Sequence, residues 1–172
     1  VLTRVLDWPE QRLLRDADIP ANLRASAPEQ GEVLRPDLVL INPATWTERA
    51  GEARVLICLY PREQSLESPV PGRQWKASPA TRMLELLHGA GVTLGLLSNG
   101  AQWMLVHAAP GESAGYITWH AHLLLDEPLT LRAFVALLGA QRLFNVPDEQ
   151  TLEALLRDSA ARQQEVTEAL GM

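Results

Sequence analysis

Apolar residues recur along this chain at two spacings, and the switches between them mark its elements. Leu38–Ile41 is an apolar run that fits a strand, and Arg54–Tyr60 (RVLICLY) is nearly continuous, the pattern of a strand covered on both faces. Between Val92 and Val106 two more apolar runs flank Ser98-Asn99-Gly100. Asn-Gly in that setting predicts a hairpin, with Asn99 and Gly100 both tolerating positive φ at the reversal. Tyr116–Leu125 reads as a further strand after a turn over Gly111–Gly115. Helical spacing takes over in Ala80–His88, where Met83, Leu84, Leu86 and Leu87 form one stripe. Ser78-Pro79 supplies an N-cap and a proline at the first helical position, and Gly89-Ala90-Gly91 ends the helix. Glu127–Phe144 is a second helix with Leu129, Leu131, Phe134, Leu137 and Leu138 inward. Val1–Arg15 also carries a helical pattern, either opening near Pro9 with Asp7 as N-cap or kinked there. Asp16–Gly31 has no period and reads as a loop, Pro43–Gly51 as a turn, and Pro61–Pro79 as a long proline-rich loop. After a break at Val146-Pro147-Asp148, Thr151–Arg157 and Ala160–Leu170 give terminal helical segments. The pattern predicts an α/β fold: a mixed sheet of about five strands, flanked by helices, with a helical C-terminal segment.

Composition narrows the function classes. With 172 residues, 47% hydrophobic, the chain is long enough for one sizeable core. Its mean hydropathy is −0.06, and no apolar run approaches the length of a membrane span. The sequence shows no leader pattern, and Cys58 is its single cysteine, so the expected compartment is the cytoplasm. A net charge of −6, with Lys76 the only lysine, argues against gripping nucleic acid by bulk electrostatics. Residues 1–145 are expected to form the domain and 146–172 a helical linker leading to a downstream domain of a longer protein.

The candidate chemistry lies around Arg35-Pro36-Asp37 and the next strand. Mg²⁺-dependent phosphodiester cleavage needs one carboxylate at a strand end and a Glu-x-Lys or Asp-x-Lys on the neighbouring strand, so that two carboxylates hold the ion and the lysine serves the attacking water. Alternation along a strand puts positions i and i+2 on one face, which sets the spacing. Asp37 supplies the first element; the corresponding pair is Cys58 and Tyr60. A thiol is a poor ligand for a hard cation, and a tyrosine carries no positive charge at neutral pH. Shifting the register recovers nothing, because Arg54–Pro61 contains no acidic residue. Asp37, Cys58 and Tyr60 therefore read as vestigial positions. Asp37 can equally cap a turn or pair with Arg35.

Arg35–Leu40, the stretch ASPATR over Ala77–Arg82, and the hairpin LGLLSNGAQWMLVH resemble the N-terminal region of type IIG-like restriction-modification methyltransferases, including those of phage-defence islands. The best-matched piece is Ser98-Asn99-Gly100-Ala101-Gln102-Trp103, of the form (S/T)-N-G-x-x-W before an apolar strand. The resemblance implies a restriction-endonuclease-like domain of the PD-(D/E)xK type, followed by an S-adenosylmethionine-dependent DNA methylase. Active relatives carry E-x-K on the second strand, and this chain departs from them at Cys58 and Tyr60. The implied role is that of a non-catalytic module that positions DNA or defence-system subunits. The expected cofactor, S-adenosylmethionine, belongs to the full-length protein, and no membrane partner is expected. Two alternatives stand beside it: an active Mg²⁺-dependent endonuclease drawing carboxylates from Glu10 and Asp37, and a pure protein-interaction module.

The expected DNA-contacting residues are Arg73, Lys76 and Arg82 around the proline-rich loop and helix start, with Asn99 and Trp103 on the hairpin. For Trp103, packing in the core competes with stacking on a base. His120 and His122 read as His-x-His on one face of a strand, a spacing that can chelate a metal, but without an evident third ligand. No metal site is therefore assigned.

Overall fold

The computed structural model describes residues 1–27, 31–45, 48–111, 113–144, 146–159 and 162. The two apolar runs of the first half become strands β4 (Leu38–Ile41) and β5 (Ala53–Leu59), paired antiparallel with Leu38 opposite Ile57. Helix α1 (Pro79–Ala90) then carries the chain across, so β6 (Leu94–Ser98) lies parallel to β5 with Val55 opposite Leu94. Ser78 caps α1 by accepting from the Thr81 N–H at 3.2 Å, and Gly91 ends it in the left-handed region. Strands β7 (Gln102–His107) and β8 (Gly115–His120) follow antiparallel, with Trp103 opposite Trp119. A three-residue strand, β1 (Leu13–Arg15), closes the other edge against β4, giving the order β1-β4-β5-β6-β7-β8. The chain is thus mixed α/β, with a six-stranded mixed sheet flanked by helices.

Alternation along the central strands builds two cores, one on each face. Val55, Ile57, Leu94, Leu96, Trp103 and Leu105 meet Phe134, Leu138, Leu143 and Leu152. Leu56, Cys58, Leu97, Met104 and Val106 meet Met83, Leu86 and Leu87 of α1. A small antiparallel ribbon, β2 (Ala25–Ala27) with β3 (Glu32–Leu34), packs on α1. Gly89 permits that approach, since a Cβ there would stand 2.5 Å from the Ala25 Cβ.

Several expectations give way to tertiary structure. Val1–Arg15 is not a helix: Asp7 takes φ 58°, a 3-10 turn spans Glu10–Arg12, and the segment ends as β1. Its apolar residues serve long-range packing instead, with Leu6 and Trp8 buried and the Trp8 indole N–H donating to the Leu138 carbonyl at 2.6 Å. The loop expected over Asp16–Gly31 contains β2. The strand expected to reach Leu125 stops at His120, opposite the first residue of β7, and after one more bond from the Ala121 N–H to the Ala101 carbonyl α2 (Leu123–Asp126) follows. Glu127–Phe144 is two helices, α3 (Pro128–Leu138) and α4 (Ala140–Phe144), divided at an extended Gly139. The main sheet has six strands rather than five.

Part of the segment expected as a linker is packed into the domain. The stretch 152–159 is helical, Leu152 is fully buried, and Glu153 accepts from Arg54 Nη2 at 2.9 Å. Most of the helix expected over Ala160–Leu170 lies outside the described residues. Among the described residues, no helix is long and apolar enough to cross a membrane.

Candidate functional site

Asp37 stands where two antiparallel strands share an end. Its N–H donates to the Ile57 carbonyl at 2.9 Å, and the Leu59 N–H donates to its Oδ2 at 2.7 Å. The carboxylate therefore closes the β4–β5 ladder; among the described residues no ion pair joins it to Arg35. Asp37 also lines a cavity of about 280 Å³ with Leu59, Arg15, Asp16, Arg24 and Arg35. These residues come from the end of β1, the turn after it, the approach to β2, the link from β3 to β4 and the end of β5. Asp16 reaches its place through a positive φ of 45°, uncommon for a residue with a side chain.

Cys58 and Tyr60 lie on the other side of the β5 backbone and do not line this cavity. Cys58 packs in the α1-side core, and its Sγ lies 3.9 Å from the Arg35 carbonyl. Burial, reinforced by the charge of Asp37, pushes its thiol up to about 12. Burial likewise raises the Tyr60 phenol, with Cys58 adding to the shift and Arg82 opposing it. At neutral pH both are uncharged groups facing the core. The three vestigial positions thus do not share one pocket: Asp37 opens onto the cavity, while Leu59, rather than Cys58 or Tyr60, joins it from β5.

The expected DNA-contacting residues divide into two kinds. Arg82 is buried: Nη1 and Nη2 donate to the Glu32 carboxylate, Nη2 to the Trp75 carbonyl at 2.8 Å, and Nε to the Ala77 carbonyl at 3.3 Å. Its guanidinium lies 5.0 Å over the Trp75 ring, so its donors face the fold rather than a phosphate. The Arg82 hydrogen bonds hold Glu32 below its ordinary carboxylate range, with the charges of Arg82 and Arg73 adding to the effect and burial opposing it. Asn99 is also internal, donating from Nδ2 to the Gln64 carbonyl at 2.8 Å and accepting from the Gln102 N–H at 2.7 Å. It shapes the hairpin without positive φ of its own; Gly100 alone takes that conformation there, at 79°. Trp103 packs edge-to-face on Phe134 with ring centroids 6.0 Å apart, which seats it in the core and not against a base. Arg73 and Lys76 are exposed on the loop before α1.

His120 ends β8 while His122 already lies in the turn before α2, so they do not share a strand face; their rings are 5.7 Å apart. Among the described residues, no three His, Cys, Asp or Glu side chains form a cluster suited to a metal ion. The cavity arginines 15 and 24 escaped the sequence reading. Arg15 closes a segment whose apolar spacing suggests a helix and Arg24 lies in a stretch of no clear period, and only the pairing of β1 with β4 brings Arg15 opposite Leu38. Compared with protein-family models, curated proteins and solved structures, the chain matches none.

Proposed function

We propose that this chain is a nuclease-like module that does not cut, the N-terminal part of a DNA methyltransferase in a restriction-modification or phage-defence system. Its role is to position DNA or partner subunits for the methylase. The observation that carries the reading is the strand-end carboxylate of Asp37, bonded to the Leu59 N–H at 2.7 Å beside a strand that offers no second acid. A six-stranded mixed sheet flanked by helices, with Asp37 at a strand end, supports the nuclease ancestry; neutral Cys58 and Tyr60 in the core support its loss of cleavage. S-adenosylmethionine would bind in the methylase, and no step of methyl transfer falls to these residues. The net charge of −6 favours a second reading, a protein-interaction module with no DNA contact.

Retardation of a short duplex by the 172-residue chain at low ionic strength tests the first reading. Charge reversal of Arg73 and Lys76 is expected to weaken binding and to lower the salt slope by about 1 per lost phosphate contact. Absence of retardation at any ionic strength would favour the second reading. Plasmid nicking in Mg²⁺ or Mn²⁺ that Asp37→Ala abolishes would overturn the non-cutting assignment.

A further inference from the structure

The cavity beside Asp37 has an unusual balance of charge. Arg15, Arg24 and Arg35 line it from three separate segments, against the two carboxylates Asp16 and Asp37. Among the described residues, none of the three arginines makes an ion pair or a side-chain hydrogen bond. Elsewhere, Arg54 and Arg82 meet carboxylates within the fold. Three like charges on one small cavity repel one another, and here they gather in a chain whose net charge is −6. One of the two opposing carboxylates, Asp37, already accepts the Leu59 N–H.

We infer that this cavity is a metal-independent phosphate site, in which Arg15, Arg24 and Arg35 take the oxygens of a phosphate group. Guanidinium forks match oxyanions, and three arginines lining one cavity from separate chain segments offer more donors than a single carboxylate uses, as the oxygens of a phosphate group require. The same charges disfavour a divalent cation, because an ion drawn to Asp37 would face three guanidinium groups. Leu38, Leu59 and Ile19 give the cavity an apolar wall, so the group attached to the phosphate has a surface to rest on. The inference rests on the non-cutting reading of Asp37: an acid that once faced a metal ion now stands among cations that hold phosphate directly. The phosphate can belong to a free nucleotide or to DNA.

Calorimetry with inorganic phosphate in the presence of EDTA is the test, with unchanged circular dichroism as the folding control. Binding is expected in the wild-type chain, weakened at least tenfold in the Arg24→Ala/Arg35→Ala double variant and unchanged in Arg49→Ala, whose side chain meets Glu52 at the surface. Asp37→Asn, which keeps an acceptor for the Leu59 N–H, is expected to tighten phosphate by about fivefold, since one opposing charge is gone. Loss of binding in that variant, dependence on a metal, or indifference to the arginine double variant would overturn the inference. Displacement of phosphate by adenosine monophosphate would assign the site to nucleotides, and displacement by an end-phosphorylated duplex to DNA; either result supports it. Phosphate binding without duplex retardation would sink the DNA reading and leave the site standing. Duplex retardation without phosphate binding would sink the site alone.

Discussion

Two arginine environments border the β2–β3 ribbon, and they use the same side chain in opposite ways. Arg82, itself buried, directs its donors at the partly buried Glu32 of β3 and at the carbonyls of Trp75 and Ala77. Arg24, just before the ribbon, and Arg35, just after it, make no such contacts and share a cavity with Arg15. The first environment fastens the ribbon and the loop before α1 to the helix; the second leaves its donors available to a ligand. Buried, paired charge stabilises a fold only while both partners remain, whereas exposed, convergent charge contributes little to stability and much to recognition.

The largest effect should come from breaking the paired side. Arg82→Ala would strand the Glu32 carboxylate and the two carbonyls, and is expected to cost about 3 kcal/mol in urea unfolding. Glu32→Gln keeps hydrogen-bond acceptance but leaves the guanidinium without its counter-charge, and should cost roughly 2 kcal/mol. If either variant unfolds like wild type, Arg82 is no fastener and the contrast fails. The pH dependence sharpens it. Since Arg82 holds Glu32 below its ordinary 4.5, the pair's contribution is complete above that value and fades as pH falls through the lower folded-state value. The stability difference between wild type and Arg82→Ala should therefore shrink on the acid side and stay flat around neutrality.

On the unpaired side, Arg15→Ala and Arg35→Ala should each shift stability by no more than about 0.5 kcal/mol, or raise it slightly by relieving repulsion. A loss comparable to that of Arg82→Ala would mean that these arginines are structural after all. The subtlest check concerns which side of β5 is open. With its thiol raised to about 12 by burial and by Asp37, Cys58 should resist alkylation in the native protein at mildly alkaline pH and react on unfolding. Its neutral form is favoured by folding, so its contribution is complete below the ordinary value of 9.0 and is lost as pH rises toward 12. Rapid native labelling would place the reactive face of β5 on the α1 side, contrary to the geometry around Asp37.

The legible parts of this fold are those in which one local signal suffices. Ser78-Pro79 opens α1 and Gly91 closes it through backbone geometry that those residues favour on their own. The apolar runs at 38–41 and 54–60 have the pattern of strands, which β4 and β5 follow up to a half-exposed Leu59, and Asn99-Gly100 marks the reversal between β6 and β7. The N-terminal segment is not legible in this way, because its leucines and Trp8 have helical spacing while Trp8 answers to a partner more than a hundred residues away, Leu138. Trp103 and Arg82 carry the residue types of a nucleic-acid surface, and nothing nearby in sequence announces Phe134 or Glu32 as their partners.

The sequence by itself determined the central strands, the crossover helix, the hairpin and the absence of an acid on β5, because periodicity, capping and composition are local properties. Tertiary structure decided which charges are neutralised and which are left facing a cavity. That outcome depends on segments far apart in the chain meeting at one strand end: Arg15 arrives by pairing with β4, Arg24 with the start of the ribbon, and Asp37 by its bond to Leu59. Coulomb interactions act through space, and no pattern along the chain encodes the distances on which they depend.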